Sequence, residues 1–181
     1  GPHCTAMREL VMEEFEDVDF LLSGEAETTA LELLSCLEGD RDFDQVTSLS
    51  YRKNGSVVHS GIPYLNDVNV LNKAPLPARH LLKESYDAGF YFSVLSSAKK
   101  TDCLVSSRGC TSKCTFCYQE DVERSARFRS VENVVEEIEQ LAAEGVTNLE
   151  VMDDNFILNK KRCHAILDRL IEKKIKMSYR V

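Results

Sequence analysis

Ser107-Arg-Gly-Cys110-Thr-Ser-Lys-Cys114-Thr-Phe-Cys117-Tyr-Gln119 carries three cysteines in a C-x3-C-x2-C spacing. Thiolates this close in sequence can converge on one soft metal centre without help from long-range folding. Their number is the informative feature. A structural zinc site takes four protein ligands and closes its shell. Three thiolates on a cubane cluster leave one iron open to an outside molecule, whereas electron-transfer clusters normally use four. A zinc site completed by Cys103 or by a histidine is the competing reading. His3, His59, His80 and His164 show no ligand spacing.

The flanks place this loop in a fold. Residues 102–106 read as a strand leading into it. Ser130 then caps a helix whose apolar face is Val131, Val134, Val135, Ile138, Leu141 and Ala142, with Gly145 at its end. Leu149 and Val151 share one face of the next strand, which runs out at Met152-Asp153-Asp154. Asn159 caps a second helix bearing Cys163, Ile166, Leu167, Leu170 and Ile171, and a last strand starts near Ile175. Strand, helix, strand, helix, strand predicts βα units and a parallel sheet, with strands begun near residues 102, 147 and 176. Chemistry in such sheets gathers at the C-terminal strand ends. Both the cysteine loop and Asp153-Asp154 fall there.

The first hundred residues have a different texture. Residues 5–15 follow a helical pattern, residues 18–22 form a short apolar strand, and Ala30, Leu33, Leu34 and Leu37 mark a second helix ended by Gly39. Asn54-Gly55 between two strand-like runs is a strong hairpin signal, because both residues tolerate the positive φ of a type I′ turn. Residues 61–100 hold Pro63, Pro75 and Pro77 without sustained periodicity, so they read as a connector with one short helix over 79–84.

Composition narrows the function classes. The 181 residues are 43% hydrophobic and 29% charged, which supports a core and excludes wholesale disorder. A formal charge of −8 argues against bulk binding to a nucleic-acid backbone. No apolar run approaches the roughly 18 residues of a membrane helix, with Phe90-Tyr-Phe92 among the longest candidates. Seven cysteines, an odd count with no visible signal peptide, favour a metal site in a reducing, cytoplasmic compartment over a disulfide framework. Cys36 and Cys163 fall on apolar helix stripes and read as core residues. The start at Gly1-Pro2 and the stop inside a strand at Val181 lead us to expect a fragment of a longer chain.

The cysteine spacing, with Phe116 just before the last Cys and a strand before the loop, resembles the radical S-adenosylmethionine enzymes. The resemblance implies that Cys110, Cys114 and Cys117 hold a 4Fe–4S cluster whose fourth iron chelates S-adenosylmethionine. One electron then yields methionine and a 5′-deoxyadenosyl radical, which abstracts hydrogen from an unactivated carbon. The backbone near Phe116 would contact adenine, and a carboxylate of Asp153 or Asp154, Asp153 by preference, would hold the methionine ammonium.

Four further segments, Ser23-Gly-Glu-Ala-Glu27, Pro75-Leu-Pro-Ala-Arg-His80, Arg127-Phe-Arg-Ser130 and Asp153-Asp-Asn-Phe156, resemble the cobalamin-binding subgroup. That likeness implies an α/β architecture in three parts. Residues 1–39 would be the remnant of a Rossmann-like cobalamin-binding domain, and 40–100 a hairpin and linker. Residues 101–181 would be the first βα units of a partial TIM-type (β/α)6 barrel. It also implies cobalamin as a further cofactor, a small-molecule substrate, and an electron donor such as flavodoxin or ferredoxin. The expected activity is methylation or rearrangement at an unactivated carbon, with the fragment itself inactive. A methylthiotransferase-like enzyme and a non-enzymatic zinc module are the alternatives. Arg124, Arg127 and Arg129 read first as a solvated face or as partners of nearby glutamates.

Overall fold

Asn54 and Gly55 have φ of 53° and 80°, the left-handed pair that a type I′ turn demands. In the computed structural model, which describes residues 1–39, 42–61, 67–82, 84, 100–117 and 125–181, this turn organises the first of two compact units, Gly1–Asp67. Two short helices, α1 (Pro2–Ala6) and α2 (Arg8–Glu14), lead into β1 (Phe20–Leu22) and α3 (Ala26–Leu37). The hairpin is β2 (Leu49–Lys53) and β3 (Ser56–His59), and β1 joins it antiparallel with Leu21 opposite Ser50. Cys36, Val46, Leu49 and Tyr51 form the buried cluster between α3 and this sheet.

Strand β1 hydrogen-bonds into the hairpin's sheet, so residues 1–39 and the hairpin share one compact unit across the expected 39/40 boundary. That sheet is antiparallel, so β1 is not a strand of a parallel, Rossmann-like sheet among the described residues. Helix α3 buries Thr29 and Cys36 and leaves Leu34 and Leu37 each 54% exposed. Its buried face is set by where Val46 and Tyr51 stand, not by the richest apolar stripe.

The second unit, Val68–Val181, begins with α4 (Val68–Lys73) and a 3-10 turn, Arg79–Leu82, inside the stretch expected to be connector. Pro63 and Phe90-Tyr-Phe92 lie outside the described residues. Strands β4 (Thr101–Leu104), β7 (Asn148–Val151) and β8 (Ser178–Arg180) make a parallel sheet in the order β4-β7-β8. This is the predicted alternation. Strand β4 stops at Leu104, two residues early, and β5 (Ser107–Arg108) turns away to pair antiparallel with β6 (Arg127–Phe128). Helices α5 (Val131–Ala143) and α6 (Lys160–Glu172) supply Val134, Val135, Ile138, Leu141, Ile166 and Leu170 to a core shared with Leu104 and Leu149. Leu167 and Ile171 remain exposed on α6, where Arg162 is buried instead.

The helix ends follow the sequence signals. The side chain of Ser130 accepts from Asn133 N–H and that of Asn159 from Arg162 N–H, each satisfying an amide with no intrahelical partner. Gly145 ends the α5 turn at φ 83°. Ser130→Ala should lower unfolding free energy by about 1 kcal/mol in denaturant titration, with the cofactor-related properties unchanged.

Candidate functional site

Strand β7 runs out into Asp153 and Asp154, and both carboxylates turn toward the approach to the cysteine loop. Asp153 Oδ1 accepts from the N–H groups of Ser106 (2.6 Å) and Ser107 (3.0 Å). Its Oδ2 accepts from the hydroxyls of the same two residues, each at 2.6 Å. Asp154 Oδ2 accepts from Gly109 N–H at 2.9 Å. Gly109 has φ 80°, a backbone state in which a side chain would be strained, and it lies immediately before Cys110. Two adjacent carboxylates thus hold three amides of residues 106–109.

Behind this clasp lies a buried cation. Arg162 donates from Nη2 to Ser106 C=O (2.8 Å), from Nη1 to Ser106 Oγ (3.3 Å) and from Nε to Arg129 C=O (2.8 Å). Its guanidinium also lies 5.5 Å from the centre of the Phe128 ring, within cation–π range. Burial pulls the Arg162 pKa down, with the Asp153 charge acting in the opposite direction.

A second polar cluster joins the turn at Arg79 to β4 and α5. Arg79 Nη2 reaches Glu137 Oε1 at 2.8 Å and its Nε reaches Asp102 Oδ2 at 3.1 Å. Arg129 Nη2 reaches Glu137 Oε2 at 2.7 Å. Glu137 is only 1% exposed. Burial lowers the Arg79 pKa, but the hydrogen bond it donates to Glu137 and the charges of Asp102 and Glu137 outweigh it, so the net movement is upward. Arg129 also donates to Val105 C=O and to Asn133 Oδ1. Of the two expectations for it, a solvated face or a partner of a glutamate, Arg129 follows the second. Arg124 lies outside the described residues.

The three predicted cysteines share one open loop. Cys114 and Cys117 are exposed and Cys110 is half-buried, and none forms a disulfide. Cys117 N–H donates to Cys114 C=O at 3.2 Å, and Ser112 N–H points at Cys110 Sγ at 3.5 Å. The Phe116 ring, 90% exposed, stands on the turn between the last two cysteines. Among the described residues, no group of three or more His, Cys, Asp or Glu side chains is arranged to hold a metal ion. The donor set nonetheless suits a soft cluster: three thiols within eight residues of one loop, with the Ser112 N–H directed at the Cys110 sulfur. Cys103 makes a poor fourth ligand. Desolvation first, and then the Asp102 charge, push its thiol up, away from the thiolate a metal requires. Cys36 and Cys163 are buried in the helices' cores, as expected.

The two aspartates differ in how far they are engaged. Asp153, the preferred candidate for an ammonium partner, has both oxygens committed to Ser106 and Ser107. Asp154 is exposed and only its Oδ2 is engaged by a described hydrogen bond. The sequence signal for the clasp was available: two serines at a strand end opposite two aspartates at the neighbouring strand end.

Residues 104–180 match the radical SAM superfamily. That stretch holds the cysteine loop and the aspartate pair. An uncharacterized methyltransferase of Pyrococcus horikoshii is 34% identical over 99% of this chain and 38% of its own length. The cytidylyl-2-hydroxyethylphosphonate methyltransferase of Streptomyces wedmorensis is 27% identical over 77% of the chain and 30% of its own length. The chain thus spans well under half of these relatives. Among solved structures, the cobalamin-dependent S-adenosylmethionine radical enzyme OxsB, with aqua-cobalamin and S-adenosylmethionine bound, superposes with a TM-score of 0.74 over 97% of this chain and 24% of its own. The methyltransferase TsrM from Kitasatospora setae, with cobalamin and a 4Fe–4S cluster, gives 0.67 over 94% of this chain and 33% of its own. At 23% and 18% identity these likenesses establish a shared mixed α/β fold. Among the described residues no helix is long and apolar enough to cross a membrane.

Proposed function

We propose that this chain carries the cluster-binding start of a cobalamin-dependent radical S-adenosylmethionine enzyme, a methyltransferase or a related enzyme acting at an unactivated carbon. One observation carries the reading: the C-x3-C-x2-C loop leaves the first parallel strand beside a carboxylate pair delivered by the second. In this reading residues 101–181 form the first βα units of a (β/α)6 barrel. Residues 1–39 would be the end of a cobalamin-binding domain, and residues 40–100 the hairpin and linker between it and the barrel. The full coverage by the Pyrococcus relative and the fold likeness to OxsB support it.

When bound, a 4Fe–4S cluster with S-adenosylmethionine supplies one-electron reductive cleavage of a carbon–sulfur bond. The chain's own residues hold and orient. Cys110, Cys114 and Cys117 would hold the cluster through three thiolates and leave its remaining iron open to the cofactor. The backbone around Phe116 offers amides and carbonyls to the adenine. Asp154 would accept an N–H from the cofactor's amino group through the edge not turned to Gly109. A small organic substrate and a cytoplasmic donor of the flavodoxin or ferredoxin kind complete the assignment.

Asp154→Asn in the full-length enzyme should weaken S-adenosylmethionine binding by roughly ten- to a hundredfold, the scale of one charge-assisted hydrogen bond. Iron and sulfide content should not change. Unaltered binding, measured by equilibrium titration of the cluster-loaded protein, would refute the Asp154 assignment.

A further inference from the structure

The carboxylate of Asp153 receives four hydrogen bonds from two consecutive residues, an unusual concentration on one surface-proximal side chain. Those two residues form the hinge between β4, which ends at Leu104, and the cysteine loop. Ser106 is fully buried and Ser107 is 3% exposed, so neither can exchange Asp153 for water without opening the structure. Ser106 C=O is held at the same time by Arg162 Nη2 and by Arg129 N–H at 3.1 Å. Every polar group of Ser106 is therefore clasped: its N–H and hydroxyl from β7, its carbonyl from α6 and the segment before α5. The next residues are Arg108, Gly109 and Cys110. Rotation at Ser106 or Ser107 would swing the first cysteine, because a few backbone bonds separate it from the clasp.

From this geometry we infer that Asp153 is a positioning residue of the cysteine loop, fixing its entry against the end of β7, with Arg162 holding the other side of Ser106. The inference rests on the cluster-binding reading of that loop. It assigns the two neighbouring aspartates different work. Asp153 faces inward to the chain, and Asp154 keeps an edge for the cofactor. A strand end that alternates its side chains naturally divides them in this way. A carboxylate is the group the site needs. It presents two oxygens that both accept, whereas Asn would present an NH2 to donors on one side and lose half of the clasp.

The test uses the full-length protein, purified without oxygen, in wild-type form and as Asp153→Asn. A control variant, Ile166→Ala, removes a buried side chain of the same unit that makes no polar contact with the clasp. In metal-free protein, amide hydrogen exchange at Ser106 and Ser107 should accelerate by about tenfold or more in Asp153→Asn, the effect of losing a charge-assisted hydrogen bond. In reconstituted protein, loss of iron to a chelator should accelerate likewise, and the electron paramagnetic resonance line of the reduced cluster should broaden. Ile166→Ala should lower the melting temperature at least as much while leaving the chelator rate and the line shape as in wild type. Faster iron loss in the control, matching that of Asp153→Asn, would overturn the inference by reducing Asp153 to a general stability role. So would unchanged exchange and chelator rates in Asp153→Asn accompanied by weakened S-adenosylmethionine binding, which would make it a cofactor ligand. Wild-type protein that assembles no iron–sulfur centre would sink the cluster-binding reading, and the exchange result alone would then decide the clasp.

Discussion

Single replacement of Cys110, Cys114 or Cys117 by Ala should leave the full-length protein folded but without a stable iron–sulfur centre. Each thiolate is one of three, and the loop offers no neighbour to substitute. Cys103 lies on β4 with its thiol pushed up, and Cys36 and Cys163 are buried in helices. Iron and sulfide after anaerobic reconstitution should therefore fall to a small fraction of wild type in all three variants, together with reductive cleavage of S-adenosylmethionine. Cys36→Ala and Cys163→Ala are the matched comparisons. They should cost stability on the order of 1 kcal/mol, as core changes of this size do, and keep full iron content. A loop variant that retained its iron would show that the triplet is not the ligand set.

The second large effect belongs to Glu137. Its carboxylate is buried between two guanidiniums, with side chains of Arg79 and Arg129 only 11% and 12% exposed. Glu137→Ala would leave two cations facing each other in a poorly hydrated site. Breaking a buried pair in this way costs about 3–5 kcal/mol, a large part of a domain's stability. Replacing Glu137 and Arg79 together with Leu and Met should cost less than the sum of the single changes, because neither of these two is left facing the other's empty place, while Arg129 and Asp102 each still lose one partner. Denaturant midpoints of the four proteins in this cycle measure the coupling. Additive costs would show that Arg79 and Glu137 stabilise the unit independently.

This cluster also illustrates what the sequence could and could not convey. Asn54-Gly55, Ser130, Asn159 and Gly145 act locally, through a φ angle or one capping bond, and each stands where the sequence placed it. The alternation after residue 100 became a parallel sheet because its apolar spacing already encodes which faces are covered. Glu137 was different. On α5 it looks like a solvated carboxylate, and only Arg79, 58 residues earlier, turns its position into a buried one. Likewise α3 buries Cys36 and exposes Leu34 because its partners are Val46 and Tyr51, which helical periodicity alone cannot name. Strand β4 ends early because Ser107 and Arg108 pair with Arg127 and Phe128, about twenty residues on in sequence.

At the candidate site, the cysteine spacing marked Cys110, Cys114 and Cys117 as candidate ligands, and the strand ends put Asp153 and Asp154 against the residues that lead into their loop. The division of labour within that pair was not legible. It depends on Ser106 and Ser107 leaving the sheet at an angle that lets both their amides and both their hydroxyls meet one carboxylate. Pleat alternation says that the two aspartates differ, but not which one the chain keeps for itself.

Anaerobic reconstitution of the full-length wild-type protein, followed by iron, sulfide and zinc analysis, tests the central claim most directly. Three loop thiolates around an open iron predict about four iron and four sulfide per site, a brown chromophore, and a spectral change when S-adenosylmethionine is added. Stoichiometric zinc with no sulfide, in protein never exposed to oxygen, would contradict it.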